Sequence, residues 1–191
     1  MRPLAWVQSR AMMKFLLALA RGMDRLSDGF GALAAWAALL SCLISAANAI
    51  VRYGLDFGSN AFLEIQWYLF AACVMLGAAQ VLRLNEHVRV DIFYSRLSGR
   101  GKVWVDLLGL LLLLLPVMSF AGWLSWGFFW SRLQSGEVSP NAGGLIRWPV
   151  ALLLPLGFGM VTLQGLAEVI KRVGWLAGVH EMDTHYERPL Q

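Results

Sequence analysis

The run "LLGLLLLLLPVMSFAGWLSWGFFWS", residues 107–131, contains no charged side chain from end to end. At about 1.5 Å per residue, a helix of that length covers more than the roughly 30 Å of hydrocarbon in a bilayer. The run lacks the alternating polar positions of a barrel strand. Three more charge-free runs of spanning size flank it, at Phe30–Val51, Ile65–Leu82 and Trp148–Ala167. The composition agrees: 58% of the 191 residues are hydrophobic, 15% are charged and the mean hydropathy is +0.59. A soluble domain carries about 25% charged residues. The sequence therefore predicts an all-α integral membrane chain with four transmembrane helices, over about 30–52, 63–83, 104–131 and 148–170.

Lysine and arginine set the expected orientation. Arg2, Arg10, Lys14, Arg21 and Arg25 precede the first span, and Arg83, Arg89, Arg96, Arg100 and Lys102 follow the second. The first loop has Arg52, the third has Arg132 and Arg147, and the tail has Lys171, Arg172 and Arg188. Basic and sparse segments alternate, which predicts cytoplasmic termini and a cytoplasmic second loop. The net charge of +4 follows from this asymmetry, so no nucleic-acid partner is implied.

The stretch "AMMKFLLALARGMDRL" (11–26) imitates a signal peptide, but its apolar core between Lys14 and Arg21 is too short. Arg10, Lys14, Arg21 and Arg25 fall within about 60° on a helical wheel, opposite Met12, Phe15, Leu16, Leu19, Met23 and Leu26. A mitochondrial transit peptide would look similar. The reading preferred is an N-terminal amphipathic helix lying in the interface of an anionic leaflet, over 1–28. Residues 29–173 form the membrane domain and 174–191 a cytoplasmic tail.

Transporters that carry their own path place ionisable residues inside the hydrocarbon. Here Glu64, Asp106 and Glu168 stand only at the edges of spans. His87, His180 and His185 all lie outside the spans, which removes haem ligation. No nucleophile–base arrangement, phosphate loop or Cys/His cluster appears, so no catalytic, metal or cofactor residues are assigned and no enzyme is expected. Cys42 and Cys73 read as packing residues. Ala34, Ala38, Ser41, Ser45 and Ala49 form a small-residue stripe for close helix approach, and Asn48, Gln80 and Gln164 can hydrogen-bond between helices. Arg52 and Glu64 face each other across the first hairpin and are expected to pair. Trp123, Trp126 and Trp130 share one face, read as an interfacial belt in preference to a ligand cage. Pro116 and Pro155 are expected to kink spans three and four.

Two loops carry distinctive wording. In "RLNEHVRVD" (83–91), His87 and Asp91 would share a helical face. Two ligands do not fill a metal's coordination sphere, and a histidine–carboxylate hydrogen bond ordering the loop is the better reading. In "QSGEVSPNAGGLIRWP" (134–149), Ser139, Pro140, Asn141 and the Gly143–Gly144 pair form turns before Trp148–Pro149 opens the fourth span.

Taken with the four spans, "RLNEHVRVDIFYSRLSGRGK" and "GEVSPNAGGLIRWPVALLLPLGFGMVTLQGLAEVIK" resemble the small permease subunit, DctQ type, of the tripartite ATP-independent periplasmic (TRAP) transporters, over about residues 29–173. The resemblance implies a bacterial inner-membrane subunit that braces a separate, many-span large permease subunit. That subunit would carry sodium-coupled uptake of an organic acid, delivered by a periplasmic binding protein. Membrane lipids are further partners. By the resemblance, Glu64, Arg83, His87, Arg89 and Asp91 are candidates for cytoplasmic-side or hairpin contacts that fix the bundle and its partner. Glu137, Ser139, Asn141 and Arg147 are candidates on the periplasmic side, where the binding protein docks. The alternatives are a membrane anchor of a redox complex and a small self-sufficient exporter.

Overall fold

The computed structural model describes residues 4–56, 58–85, 94, 96–141 and 143–182, with side chains from residue 10 onward. Four helices account for most of it: α1 at Leu4–Gly54, α2 at Asn60–Leu84, α3 at Gly99–Ser135 and α4 at Trp148–Leu176. Each is long and apolar enough to cross a membrane. The chain is an all-α, multi-pass membrane protein. One end of the bundle, called the hairpin end, carries residues 54–56, 58–60, 136–141 and 143–147. The opposite end, called the terminal end, carries Asn85, Tyr94, residues 96–98 and the last turns of α4.

Local chemistry sets the helix ends. Ser59 starts α2, its hydroxyl accepting from the Ala61 N–H at 3.3 Å, and Asn85 closes it in the left-handed conformation at φ 59°. Ser98 starts α3 in the same way, accepting from the Gly101 N–H. That cap lies several residues before the charge-free run, so α3 begins earlier than hydropathy predicts. Pro149 sits in the first turn of α4, as the sequence predicts.

Two expectations about helix continuity change. The boundary expected at residues 28 and 29 does not interrupt the chain: α1 is one helix of 51 residues. No proline breaks it, and its N-terminal half is held along the end of α4 by contacts described below. Inside α3, Leu110–Leu114 form a π-helical turn, with the Leu115 N–H reaching the Leu110 carbonyl. Pro116, just beyond, has no N–H and its ring crowds the carbonyl four residues earlier, and the wider turn accommodates both effects. Pro155 is taken into α4 without ending it.

The fourth helix occupies the centre, in contact with each of the other three. Small residues let them come close. A Cβ on Gly157 would lie 2.8 Å from the Met75 carbonyl oxygen of α2, and one on Gly165 would lie 2.7 Å from Leu114 of α3. Met160 and Val161 form the core with Ala79, and Phe30, Leu82, Leu114 and Met118 pack around them. The α1 stripe is half as expected. Ala34 is buried, Ala38 is half-buried and the Ser41 hydroxyl donates to the Gln66 carbonyl at 3.3 Å, whereas Ser45 and Ala49 are exposed. Gly31 leaves room for the Gln80 amide, which lies where its side chain would be.

Candidate functional site

At the hairpin end a single carboxylate organises a loop. Glu64, in the second turn of α2, is 4% exposed. Its Oε1 accepts from the Ser139 hydroxyl and from Asn141 Nδ2 at 2.6 Å, and its Oε2 accepts from the Leu145 N–H at 2.7 Å. The loop it holds is built for this. Gly136 ends α3 in the left-handed conformation, Val138 and Ile146 form an antiparallel bridge, and the Arg147 N–H donates to the Glu137 carbonyl. Gly144 has no space for a Cβ, which would lie 2.7 Å from the Ser139 carbonyl oxygen. Outside the turn, the Glu137 carboxylate pairs with Arg132 and with Arg147 at 2.9 Å, and the Tyr68 hydroxyl donates to the Ile146 carbonyl.

The expected Arg52–Glu64 pair is therefore corrected. No ion pair joins them among the described residues, and Arg52 is exposed over Gly58. The reason is competition: Glu64 already receives three donors from the third loop, while Arg52 stays hydrated. Of the sequence candidates, the structure brings together Glu64, Ser139 and Asn141, and separately Glu137 and Arg147. Arg83 pairs with Asp28 of α1 at 2.5 Å. His87, Arg89 and Asp91 lie outside the described residues.

The terminal end holds a second cluster that sequence reasoning saw only in pieces. Gln164 is completely buried. Its Oε1 accepts from the Ser27 hydroxyl at 2.7 Å, and its Nε2 donates to Asp24 at 2.9 Å and to Glu168 at 3.1 Å. Lys171 bridges the same two carboxylates, at 2.8 Å from Asp24 and 2.5 Å from Glu168. Arg172 pairs with Glu168 and, at 3.1 Å, with Asp106 of α3, which also accepts from the Tyr94 hydroxyl at 3.1 Å. The cluster thus ties α1 and α3 to α4 at one level. Gln164, Glu168 and Lys171 stand four and then three residues apart, so one face of α4 carries them. That spacing was the available signal, but their partners on α1 and α3 are remote in sequence. The arrangement locks helices in register, with each of the three carboxylates paired to Lys171 or Arg172.

Trp123, Trp126 and Trp130 are all exposed on the bundle surface, Trp123 at 71%. Trp123 packs against Phe120 and Trp126 against Phe129.

Comparison with known proteins bears on both clusters. The family described as "Tripartite ATP-independent periplasmic transporters, DctQ component" matches residues 41–174, which includes the Glu64 loop and the α4 face of the second cluster. A relative from Haemophilus influenzae, named "Putative TRAP transporter small permease protein", is 35% identical over 65 residues, or 34% of this chain and 40% of the relative. The match thus spans less than half of that relative's length. No solved structure matches the chain. With the match to the family covering well over half of the sequence, this chain belongs to the DctQ component family of the tripartite ATP-independent periplasmic transporters.

Proposed function

We propose that the chain is the small membrane subunit of a TRAP-type secondary transporter, bracing a separate large permease subunit. In this reading the large subunit performs sodium-coupled uptake of an organic acid that a periplasmic binding protein delivers. The hairpin end then faces the periplasm and both termini the cytoplasm of a bacterial inner membrane, as the lysine and arginine distribution favours.

The observation that carries the proposal is the placement of charge within a member of this family. Glu64 with Glu137, Arg132 and Arg147 gathers at one end, and Asp24, Asp106, Glu168, Lys171 and Arg172 at the other. The charge-free runs lie between them. A bundle tied at both ends and neutral through its middle suits a scaffold that stays still while another subunit moves substrate. The loop folded on Glu64 would offer the binding protein a shaped surface through Glu137, Ser139, Asn141 and Arg147.

The test is co-expression with the large permease subunit, purification in mild detergent and reconstitution into liposomes with the binding protein. The expected result is a stable complex whose substrate uptake is lost when this chain is omitted. Recovery of this chain alone, with uptake unaffected by its omission, would overturn the proposal.

A further inference from the structure

The N-terminal half of α1 and the last turns of α4 border a cavity of about 360 Å³ at the terminal end. Lys14, Arg21 and Asp24 line it from α1, Lys171 from α4, and His180 from the chain that follows α4. Its volume lies within the roughly 300–1,000 Å³ of small-molecule sites.

Two glycines shape this space. Gly178, at φ 67°, reverses the chain beyond α4, and the N–H groups of Val179 and His180 both donate to the Gly174 carbonyl, at 3.0 and 3.2 Å. Gly174 itself is buried, and a Cβ there would lie 3.2 Å from the His180 Cβ and 3.3 Å from the Leu17 side chain of α1. Its bare backbone lets α1 and the returning chain both close on α4. His180 thereby borders the same space as Lys14 and Arg21.

Charge around the cavity is unbalanced. Lys171 is already held by Asp24 at 2.8 Å and by Glu168 at 2.5 Å. Lys14 and Arg21 stand two turns apart on one face of α1, and both are exposed. Among the described residues neither forms an ion pair with a carboxylate. Two cations without counter-ions and an imidazole thus share a space whose single carboxylate is committed to Lys171. Such a donor set calls for an anion with several acceptor oxygens.

We propose that this cavity binds the phosphate group of an anionic ligand, with an acidic phospholipid as the source that its depth favours. The inference goes beyond the transporter-subunit reading and needs only the membrane fold. Lys171 follows the charge-free run that ends at Ala167 by four residues, or about 6 Å along the helix, which is the depth of the headgroup layer. Arg21 can offer paired N–H donors to two phosphate oxygens, and Lys14 a mobile point charge. Inorganic phosphate presents the same oxygens, so the experiment separates the two sources.

The test uses the full chain in non-ionic detergent, titrated with phosphatidylglycerol, phosphatidylcholine or inorganic phosphate. Native mass spectrometry reads lipid retention and calorimetry reads phosphate. At one lipid per micelle no charged surface forms, so general attraction of a basic segment to an anionic leaflet does not contribute. We expect one phosphatidylglycerol per chain, held at least about tenfold more tightly than phosphatidylcholine, whose choline adds a cation. Lys14→Gln/Arg21→Gln should weaken that binding at least about tenfold with helicity unchanged, and His180→Ala should weaken it about threefold. Arg25→Gln/Arg100→Gln removes the same charge from exposed positions outside the cavity and should leave binding within about twofold. Inorganic phosphate binding with the same dependence on Lys14, Arg21 and His180 would uphold the site and assign it to a free anion. Equal losses in the two double variants, equal retention of the two lipids, or wild-type affinity in either cavity variant would overturn the proposal. So would a wild-type chain that holds neither phosphatidylglycerol nor phosphate.

Discussion

Glu64 of α2 and Asn141 of the third loop, 77 residues apart in sequence, are joined by a 2.6 Å hydrogen bond from the asparagine amide to the carboxylate. The contact ties the start of the second helix to the turn between the third and fourth. It gives the hairpin end a defined shape before any partner is present.

Removing that carboxylate should loosen the turn. Glu64→Ala strands the Ser139 hydroxyl, the Asn141 amide and the Leu145 N–H together, while Glu64→Gln keeps an acceptor for some of them. Limited proteolysis in detergent should cut the 136–147 segment faster in Ala than in Gln, and faster in Gln than in wild type. Equal rates in all three would contradict the role given to Glu64.

A double-mutant cycle distinguishes the two candidate partners of Glu64. Glu64→Ala with Asn141→Ala should be clearly non-additive in thermal stability. Glu64→Ala with Arg52→Ala should be additive, and Arg52→Ala alone should change stability by no more than about 0.5 kcal/mol. Coupling to Arg52 and none to Asn141 would reverse the assignment.

At the terminal end, Gln164→Leu removes an amide that serves Ser27, Asp24 and Glu168 simultaneously. Interhelical hydrogen bonds in membranes contribute about 1 kcal/mol each, so a loss of about 1–2 kcal/mol is expected. Equilibrium unfolding in mixed micelles measures it, and an unchanged midpoint would rule it out.

Lys171→Met leaves Asp24 and Glu168 facing each other without their shared cation. The expected destabilisation is about 3 kcal/mol, as for breaking a buried pair. Adding Asp24→Asn should recover part of that loss. If the double variant is less stable than Lys171→Met alone, the bridge is not what holds these side chains.

Gly157→Ala tests the packing of α4 on α2. The new methyl would lie 2.8 Å from both the Met75 side chain and its carbonyl oxygen. A loss of about 1–3 kcal/mol is expected. Met75→Ala should not restore stability, because the carbonyl remains in place.

The four spans were legible because uninterrupted apolar runs such as 107–131 admit few other structures. The helix ends were less so. Hydropathy marks where charge begins, whereas Ser98 and Ser59 start helices by capping, and α1 and α4 continue through charged residues that satisfy one another. Glu64 was recognisable as an edge residue, but its partner was not. The nearest opposite charge, Arg52, was the natural guess, and the true donors are 75 to 81 residues away. Asp24, Asp106 and Glu168 were visible singly as boundary charges. Their meeting depends on the order in which the helices pack, which no local spacing contains.

The central position of α4 also bears on how the chain is made. It is the last of the four helices to leave the ribosome, yet Asp24, Ser27 and Asp106 find partners on it. Until it inserts, α1 and α3 must wait in the membrane with those groups open to water or to one another. The ties of α1 and α3 to α4 therefore form only after the final segment enters, and a chain stopped short of residue 148 lacks the helix that the other three all touch.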